Sequence, residues 1–282
     1  MICRLCGSEY LKFKYTVANC DVYSCKTCSF CQIINEPDIS TLEEIYSPKY
    51  FTHSKYTDTT TLNIENEKRM KILKRVLEPG KCKILDFGCA SGDFVLRAKK
   101  YFEMWGIDFS EYAIACAKKK NPDLSLRLFL VSLENAQLEK DYFDAIVLWD
   151  VLEHIWDFES VLIKLLLLLK PEGFLVISMP NINSALAKIS GRYWPMMTPP
   201  EHLNFFNLKS SKYLFTYKLK MKFIEWSASG KKVNVGFILY KIKRKVNWLV
   251  PVWLIKLFQK KPFHKLSLYI PSADIQYLMV QK

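Results

Sequence analysis

The sequence predicts an α/β protein, an open and mostly parallel sheet with helices on both faces, preceded by a small metal-bound ribbon. Two observations carry this reading. From residue 83 onward, short apolar runs alternate with helical stretches, the pattern of parallel strands joined by crossover helices. Ahead of them, Cys3 with Cys6 and Cys25 with Cys28 form two CxxC pairs separated by 18 residues, inside the window of a zinc ribbon. Composition agrees, because 50% of the 282 residues are apolar and 24% charged, enough for a packed core and too apolar for wholesale disorder. At about 150 residues per domain, the length allows one large domain with small appendages. Residues 1–36 read as the ribbon, 37–78 as a helical linker or lid, 79–230 as the main domain, and 231–282 as a basic, apolar excursion ending in the last strand.

Nine cysteines could build a disulfide scaffold, but six lie in the first 31 residues. The chain opens MICRLC, without the charged and apolar regions of a secretory leader, so the expected home is the cytosol, where clustered cysteines read as metal ligands. Two knuckles of this spacing bring four thiolates around one zinc ion and leave no open position for catalysis. Structural Zn2+ therefore substitutes for a core too small to fold alone. Gly7 follows the first pair, whereas Ser29 follows the second. Cys20 and Cys31 are spare, and because Cys28 and Cys31 also spell CxxC, the fourth ligand stays open.

In the main domain, Lys83 to Gly88 is a buried strand ending in a glycine turn, and Asp93 to Tyr101 a helix. A strand follows at Glu103 to Phe109, then a helix from Ser110 to Lys120 capped by that serine, and a third strand at Ser125 to Ser132. Tyr142 to Trp149 is the fourth strand, Phe158 to Leu169 an apolar helix, and Gly173 to Met179 the fifth strand. Gln276 to Gln281 reads as the last. Ligands of such sheets lie at the carboxyl ends of the strands, where strand order reverses.

The first turn reads Asp86-Phe87-Gly88-Cys89-Ala90-Ser91-Gly92. It resembles the D-x-G-x-G-x-G turn of class I S-adenosylmethionine-dependent methyltransferases, with Ala90 in place of the middle glycine. Asp108 stands 20 residues beyond Gly88, where an acid binds ribose hydroxyls; dehydrogenases place one similarly. The runs FDAIVLWDVLEHI and LLKPEGFLVISMPN are similar to the fourth and fifth methyltransferase strands, and the likeness covers about residues 80–182. It implies a Rossmann-like sheet of seven strands and S-adenosyl-L-methionine as cofactor, held by Asp86, Gly88, Ala90, Gly92, Asp108, Phe109, Ser132, Leu133, Trp149 and Asp150. One departure stands out: where many relatives carry an adenine-binding Asp, this chain reads Leu130-Val131-Ser132-Leu133-Glu134, so Ser132 or a backbone group takes that role.

Methyl transfer to a hydroxyl requires in-line positioning and removal of a proton, which suits a neutral imidazole. His154 follows the fourth strand at the expected mouth. His202 lies in Thr198 to Phe206 (TPPEHLNFF), a proline-stiffened segment similar to one on the acceptor side of ubiquinone- and sugar-type methyltransferases. His53 and His264 have no motif and read as surface groups. Tyr46, Tyr50 and Tyr56 could cover the acceptor or simply pack. The layout of ribbon, tyrosine-bearing stretch and sheet resembles methyltransferases of glycan and other small-molecule pathways, so the expected acceptor is a sugar or glycan intermediate, nucleotide- or lipid-linked. The rival is a zinc-ribbon RNA methyltransferase of the guanine type. Adenine-amine and cytosine methylation are disfavoured, because neither Asn-Pro-Pro-Tyr nor a catalytic Pro-Cys follows the fourth strand.

Net charge is +13, and it is concentrated. No acid stands between Glu225 and Asp274, while ten Lys and Arg do. Within this stretch, Trp248 to Ile255 is apolar, too short to span a bilayer. With Pro251 in the first turn of a helix starting near Leu249, residues 240–261 read as a peripheral contact with the inner face of a membrane, or as a helical excursion packed on the sheet.

Overall fold

The computed structural model describes residues 1–47, 59–130, 138–236, 250–259 and 266–282, together with residues 239, 243 and 263. The amino-terminal unit is a hairpin of β1 (Leu11–Val17) and β2 (Cys20–Cys25). Its two-residue turn holds Ala18 and Asn19 at φ 47° and 61°, the left-handed pair that matches strand twist in tight hairpins. β3 (Cys31–Ile33) adds antiparallel to β2. The free edge of β3 then receives β9 (Asn204–Phe205), through Cys31 opposite Phe205 and Gln32 opposite Asn204. The ribbon and the segment holding His202 thus share one four-stranded sheet.

The main sheet comprises β4 (Lys83–Phe87), β5 (Glu103–Asp108), β6 (Leu128–Leu130), β7 (Phe143–Trp149), β8 (Leu169–Pro180), β10 (Lys222–Asn234) and β11 (Ser267–Gln281). Their order is β10-β11-β8-β7-β4-β5-β6. β4, β5, β6, β7 and β8 pair in parallel, and β11 is antiparallel to both its neighbours. Seven strands were expected, and this is the expected architecture. Covered on both faces, the inner strands are apolar at their centres: Ala145, Ile146, Val147 and Leu148 of β7 are fully buried, as parallel strands between helical layers must be. Chain order reverses at β4, which lies between β5 and β7, so the ligand crevice opens at the carboxyl ends of these three strands. The helix Glu111–Lys120 starts where expected, with Ser110 Oγ accepting from the Ala113 amide.

Several boundaries differ from the sequence reading. Residues 122–127, partly assigned to the third strand, form a 3-10 turn opened by Pro122, whose fixed φ suits a first helical position. Among the described residues of that stretch, only Leu128–Leu130 are strand. The excursion helix is Val252–Gln259, so Pro251 precedes it instead of lying in its first turn. β11 is far longer than Gln276 to Gln281, and β10 runs unbroken through residue 230. The helix Thr59–Leu73 crosses the open end of the sheet. It is held there by Arg69 Nη2 to Asp150 Oδ2 at 2.8 Å, Tyr277 donating to Glu65 at 2.9 Å, and burial of Met70 and Leu73.

Candidate active site and metal centre

The crevice is shaped by backbone that tolerates little alteration. Gly88 has φ +80°, and a Cβ there would stand 2.5 Å from Val151 Cγ2. Ala90 keeps the same left-handed character at φ 45°, a conformation costing an L-residue about 1–2 kcal/mol. A glycine would carry no such cost there. Asp108, 7% exposed, accepts from the Ala90 amide through Oδ2 and from the Ser110 amide through Oδ1, both at 2.9 Å. These bonds lock the carboxylate across the turn and leave further lone pairs for a diol. Burial raises its pKa.

Asp86 is buried, and its Oδ1 has no hydrogen-bond partner among the described residues. Burial pushes its pKa up to about 7, against the pull of Arg69, with Asp108 adding to the rise. A buried, unpartnered carboxylate beside an acid placed for a diol fits a ligand bearing both positive charge and a ribose, as S-adenosylmethionine does. Asp150, at φ 58°, accepts from Ser178 Oγ and pairs with Arg69. The Arg69 guanidinium lies 5.2 Å from the Trp149 ring centroid. Arg69 belongs to the site but was missed, since in the sequence it is one of several cations on a helix. Phe109 is exposed and packs edge-on against Tyr46 at 4.9 Å. Ser132, Leu133, Tyr50, Tyr56, His53 and His264 lie outside the described residues.

Because folded Asp86 binds its proton more tightly than the unfolded chain does, its contribution to stability is fully present below about pH 4. It falls as pH rises toward about 7 and then levels off. A cationic ligand favours the ionised form, so cofactor binding between about pH 6 and 7 should release a proton. Calorimetry in buffers of different ionisation enthalpy reads this directly. Asp86→Asn should abolish the release, and an unchanged release would place the titrating group elsewhere. Asp108→Ala should weaken S-adenosylmethionine roughly 10- to 100-fold with the fold intact, the loss expected of about 1.5–3 kcal/mol for bonds to a charged acceptor.

His154 and His202 come together, with ring centroids 4.8 Å apart. His154 Nδ1 lies 2.8 Å from the Glu201 carbonyl and 3.0 Å from the Tyr46 hydroxyl. His202 Nδ1 lies 2.7 Å from the Met196 carbonyl. A carbonyl only accepts, so each Nδ1 carries the hydrogen and each neutral ring is basic at Nε2. Glu153, 1% exposed, places Oε1 3.9 Å from His154 Nε2. Glu153, His154 and His202 offer ligand atoms within 4.8 Å of one another, so the cluster could also hold a cation. His154 keeps 13% exposure, whereas His202 is 4% exposed. His154 is therefore the reachable ring and His202 its buried neighbour. Glu153 is a second residue that sequence reasoning passed over, hidden between two singled-out positions.

At the other end of this loop, Cys3, Cys6, Cys25 and Cys28 gather their sulfurs within 4.8 Å. The Cys3–Cys28 and Cys6–Cys25 sulfurs are each 3.6 Å apart. Tetrahedral zinc with bonds of about 2.3 Å needs sulfurs about 3.8 Å apart, so the four thiols fit the ion. The Cys28 thiol holds the Cys3 pKa below its ordinary value, whereas burial raises that of Cys6. Cys20 and Cys31 are outside the cluster. Arg4, inside the first knuckle, donates to the Ile33 and Leu203 carbonyls and to Asn204 Oδ1. Its guanidinium stacks 3.6 Å from the Trp156 centroid. Asn204 in turn donates to the Leu152 and Ile155 carbonyls, bracketing His154.

A family described as "Methyltransferase domain" matches residues 51–216. The chain belongs to this family. Its fold is that of the class I S-adenosylmethionine-dependent methyltransferases. The methyltransferase is 33% identical over 127 residues to the mitochondrial ubiquinone biosynthesis O-methyltransferase of Schizosaccharomyces pombe, over 42% of this chain and 46% of that protein. It thus spans less than half of that curated relative. A Thermotoga maritima S-adenosylmethionine-dependent methyltransferase superposes with TM-score 0.54 at 15% identity, over 85% of this chain and 99% of that one. The [4+2]-cyclase SpnF superposes at 0.50 and 18% identity, over 77% and 81%. These likenesses show the fold, and the cyclase among them shows that the methyltransferase fold hosts more than one reaction.

Proposed function

We infer that the protein methylates a hydroxyl of a small-molecule acceptor, a sugar or glycan-pathway intermediate in nucleotide- or lipid-linked form, with His154 as general base. The observation that carries this reading is the pinned tautomer of His154, whose basic Nε2 lies beside buried Glu153. S-adenosylmethionine supplies a methyl group on a sulfonium, and Asp86, Asp108, Arg69 and the Gly88 turn bind and orient it. His154 Nε2 accepts the acceptor's hydroxyl proton, and the Glu153 carboxylate stabilises the imidazolium that results. Tyr46 and the Glu201 carbonyl hold the ring's other face, which fixes the direction of Nε2. The name of the fission-yeast relative supports oxygen as the methylated atom, and the layout of ribbon, tyrosine-bearing segment and sheet supports a sugar. Structural Zn2+, held by the four clustered thiolates, fixes the ribbon against the acceptor loop.

The test is methyl transfer from labelled S-adenosylmethionine into cell extract, repeated after nuclease treatment and after fractionation of nucleotide sugars and lipid-linked glycans. Label in a nuclease-resistant sugar fraction supports the reading. Loss of label on nuclease treatment would assign the protein to RNA methylation.

A further inference from the structure

The last pair of the main ladder joins Ile275 of β11 to Pro180 of β8, so β11 meets the sheet at the carboxyl end of β8. That is also the end where β4, β5 and β7 deliver Asp86, Asp108 and Asp150. Upstream of this point, Ser267 to Ile270 pair only with Lys231 to Asn234 of β10. The hairpin therefore extends past the sheet on the cofactor side, by on the order of 20 Å at strand rise. The helix Val252–Gln259 is carried between these two strands.

That helix is anchored on one side and bare on the other. Val250 and Ile255 are buried, and Lys243 donates to the Val250 carbonyl at 3.0 Å. On the outer side Val252 is 49% exposed, Trp253 64% and Leu257 39%, joined by exposed Phe263 and Leu266. Lys256 shares this exposed face. A solvated helix would present polar residues there. The surrounding segment carries ten cations and no acid between Glu225 and Asp274, so only an anionic occupant complements it. An exposed indole among aliphatic residues, framed by lysines, is the composition that settles at the headgroup level of an acidic bilayer.

We propose that the exposed face of the Val252–Gln259 helix, with Trp253, Lys256 and Leu257 and the neighbouring Phe263 and Leu266, forms a docking surface for an anionic membrane, which presents the cofactor crevice and His154 to acceptors at the headgroups. The proposal deepens the lipid-linked form of the functional reading, but vesicle binding is read without any acceptor. Its failure would leave methyl transfer to a soluble sugar standing.

The full chain is floated with vesicles of phosphatidylcholine alone and of equimolar phosphatidylcholine and phosphatidylglycerol, at low and physiological salt. Binding to the anionic vesicles, weakened by salt, is expected. Trp253→Ala with Leu257→Ala, and separately Lys256→Glu, should each lower it roughly tenfold or more while S-adenosylmethionine affinity is kept, the latter showing that the variants fold. The proposal is overturned if nothing floats at either salt, if neutral vesicles bind equally well, or if both variants bind like the parent. It is also overturned by a dimer in light scattering that the Trp253 variant dissociates, since the face would then be a contact between copies.

Discussion

Cys25→Ala is expected to strip the metal from the ribbon and to abolish methyl transfer, although Cys25 shares no hydrogen bond with the cofactor crevice among the described residues. Structural zinc in small ribbons contributes about 10–16 kcal/mol of binding free energy, as much as a whole domain's stability of about 5–15 kcal/mol. Without it the knuckles open and β3 loses its register. β9 then loses its pairing with β3, and the Arg4 bonds to Leu203 and Asn204 go with it. His202 immediately precedes these residues, and the Leu203 amide donates to the Glu153 carbonyl at 2.8 Å, so the acceptor half of the site should lose its geometry. The crevice around Asp108 shares no hydrogen bond with the ribbon among the described residues. The expected outcome is about one zinc per chain in the parent and none in the variant. Turnover should fall at least ~100-fold, the scale on which misplacement of reacting groups acts, with S-adenosylmethionine affinity changed less than about threefold. Zinc retained in full by Cys25→Ala would transfer the ligand role to Cys20 or Cys31.

His154→Ala is expected to lower turnover by roughly 100- to 10,000-fold, the range for general acid–base groups, with little change in cofactor affinity. The site explains the size of the effect: one ring nitrogen is held by the Glu201 carbonyl, and the other stands beside a carboxylate with 1% exposure. Glu153→Gln keeps the shape and removes the charge that stabilises the imidazolium. It should lower turnover less than His154→Ala and move the acidic limb of the pH–rate profile to lower pH, because the imidazole becomes a weaker base. Full activity in His154→Ala would point to an acceptor that needs no base, such as an amine.

The parts of the fold that were readable were those whose pattern is local. Inner parallel strands carry short, nearly continuous apolar runs, so β4, β5, β7 and β8 declared themselves. Cysteine spacing alone picked out the four thiols that cluster. β11 was under-read because Pro271-Ser272-Ala273-Asp274 spells a turn. In the structure this stretch bulges out of the ladder between the pairs at Ile270 and Ile275, and Ala273 takes φ 54°. Asp274 is buried there, accepting from Ser184, Trp194 and Ser272. β9 is two residues long and exists only because β3 offers it an edge, and no window of sequence carries that information. In the site, His154 and His202 could be named from their motifs. Arg69 and Arg4 owe their roles to partners 81 and 200 positions away, and Glu153 owes its role to burial beside His154, neither of which is visible along the chain.

The shared strand pair between β3 and β9 also bears on how such a protein can be assembled and inherited. A ribbon joined by a linker alone could be exchanged between enzymes like a tag. Here its third strand is completed by residues more than 170 positions downstream, and Asn207 donates back to the Ser29 carbonyl across the same seam. Neither piece has a finished surface without the other: excision of the ribbon uncovers Phe205 and Phe206, both fully buried, and leaves an unpaired strand edge prone to aggregation. Recombination that swaps acceptor loops to change substrate must therefore carry the matching ribbon, and substrate choice and metal dependence would be expected to travel together through a lineage as one heritable unit.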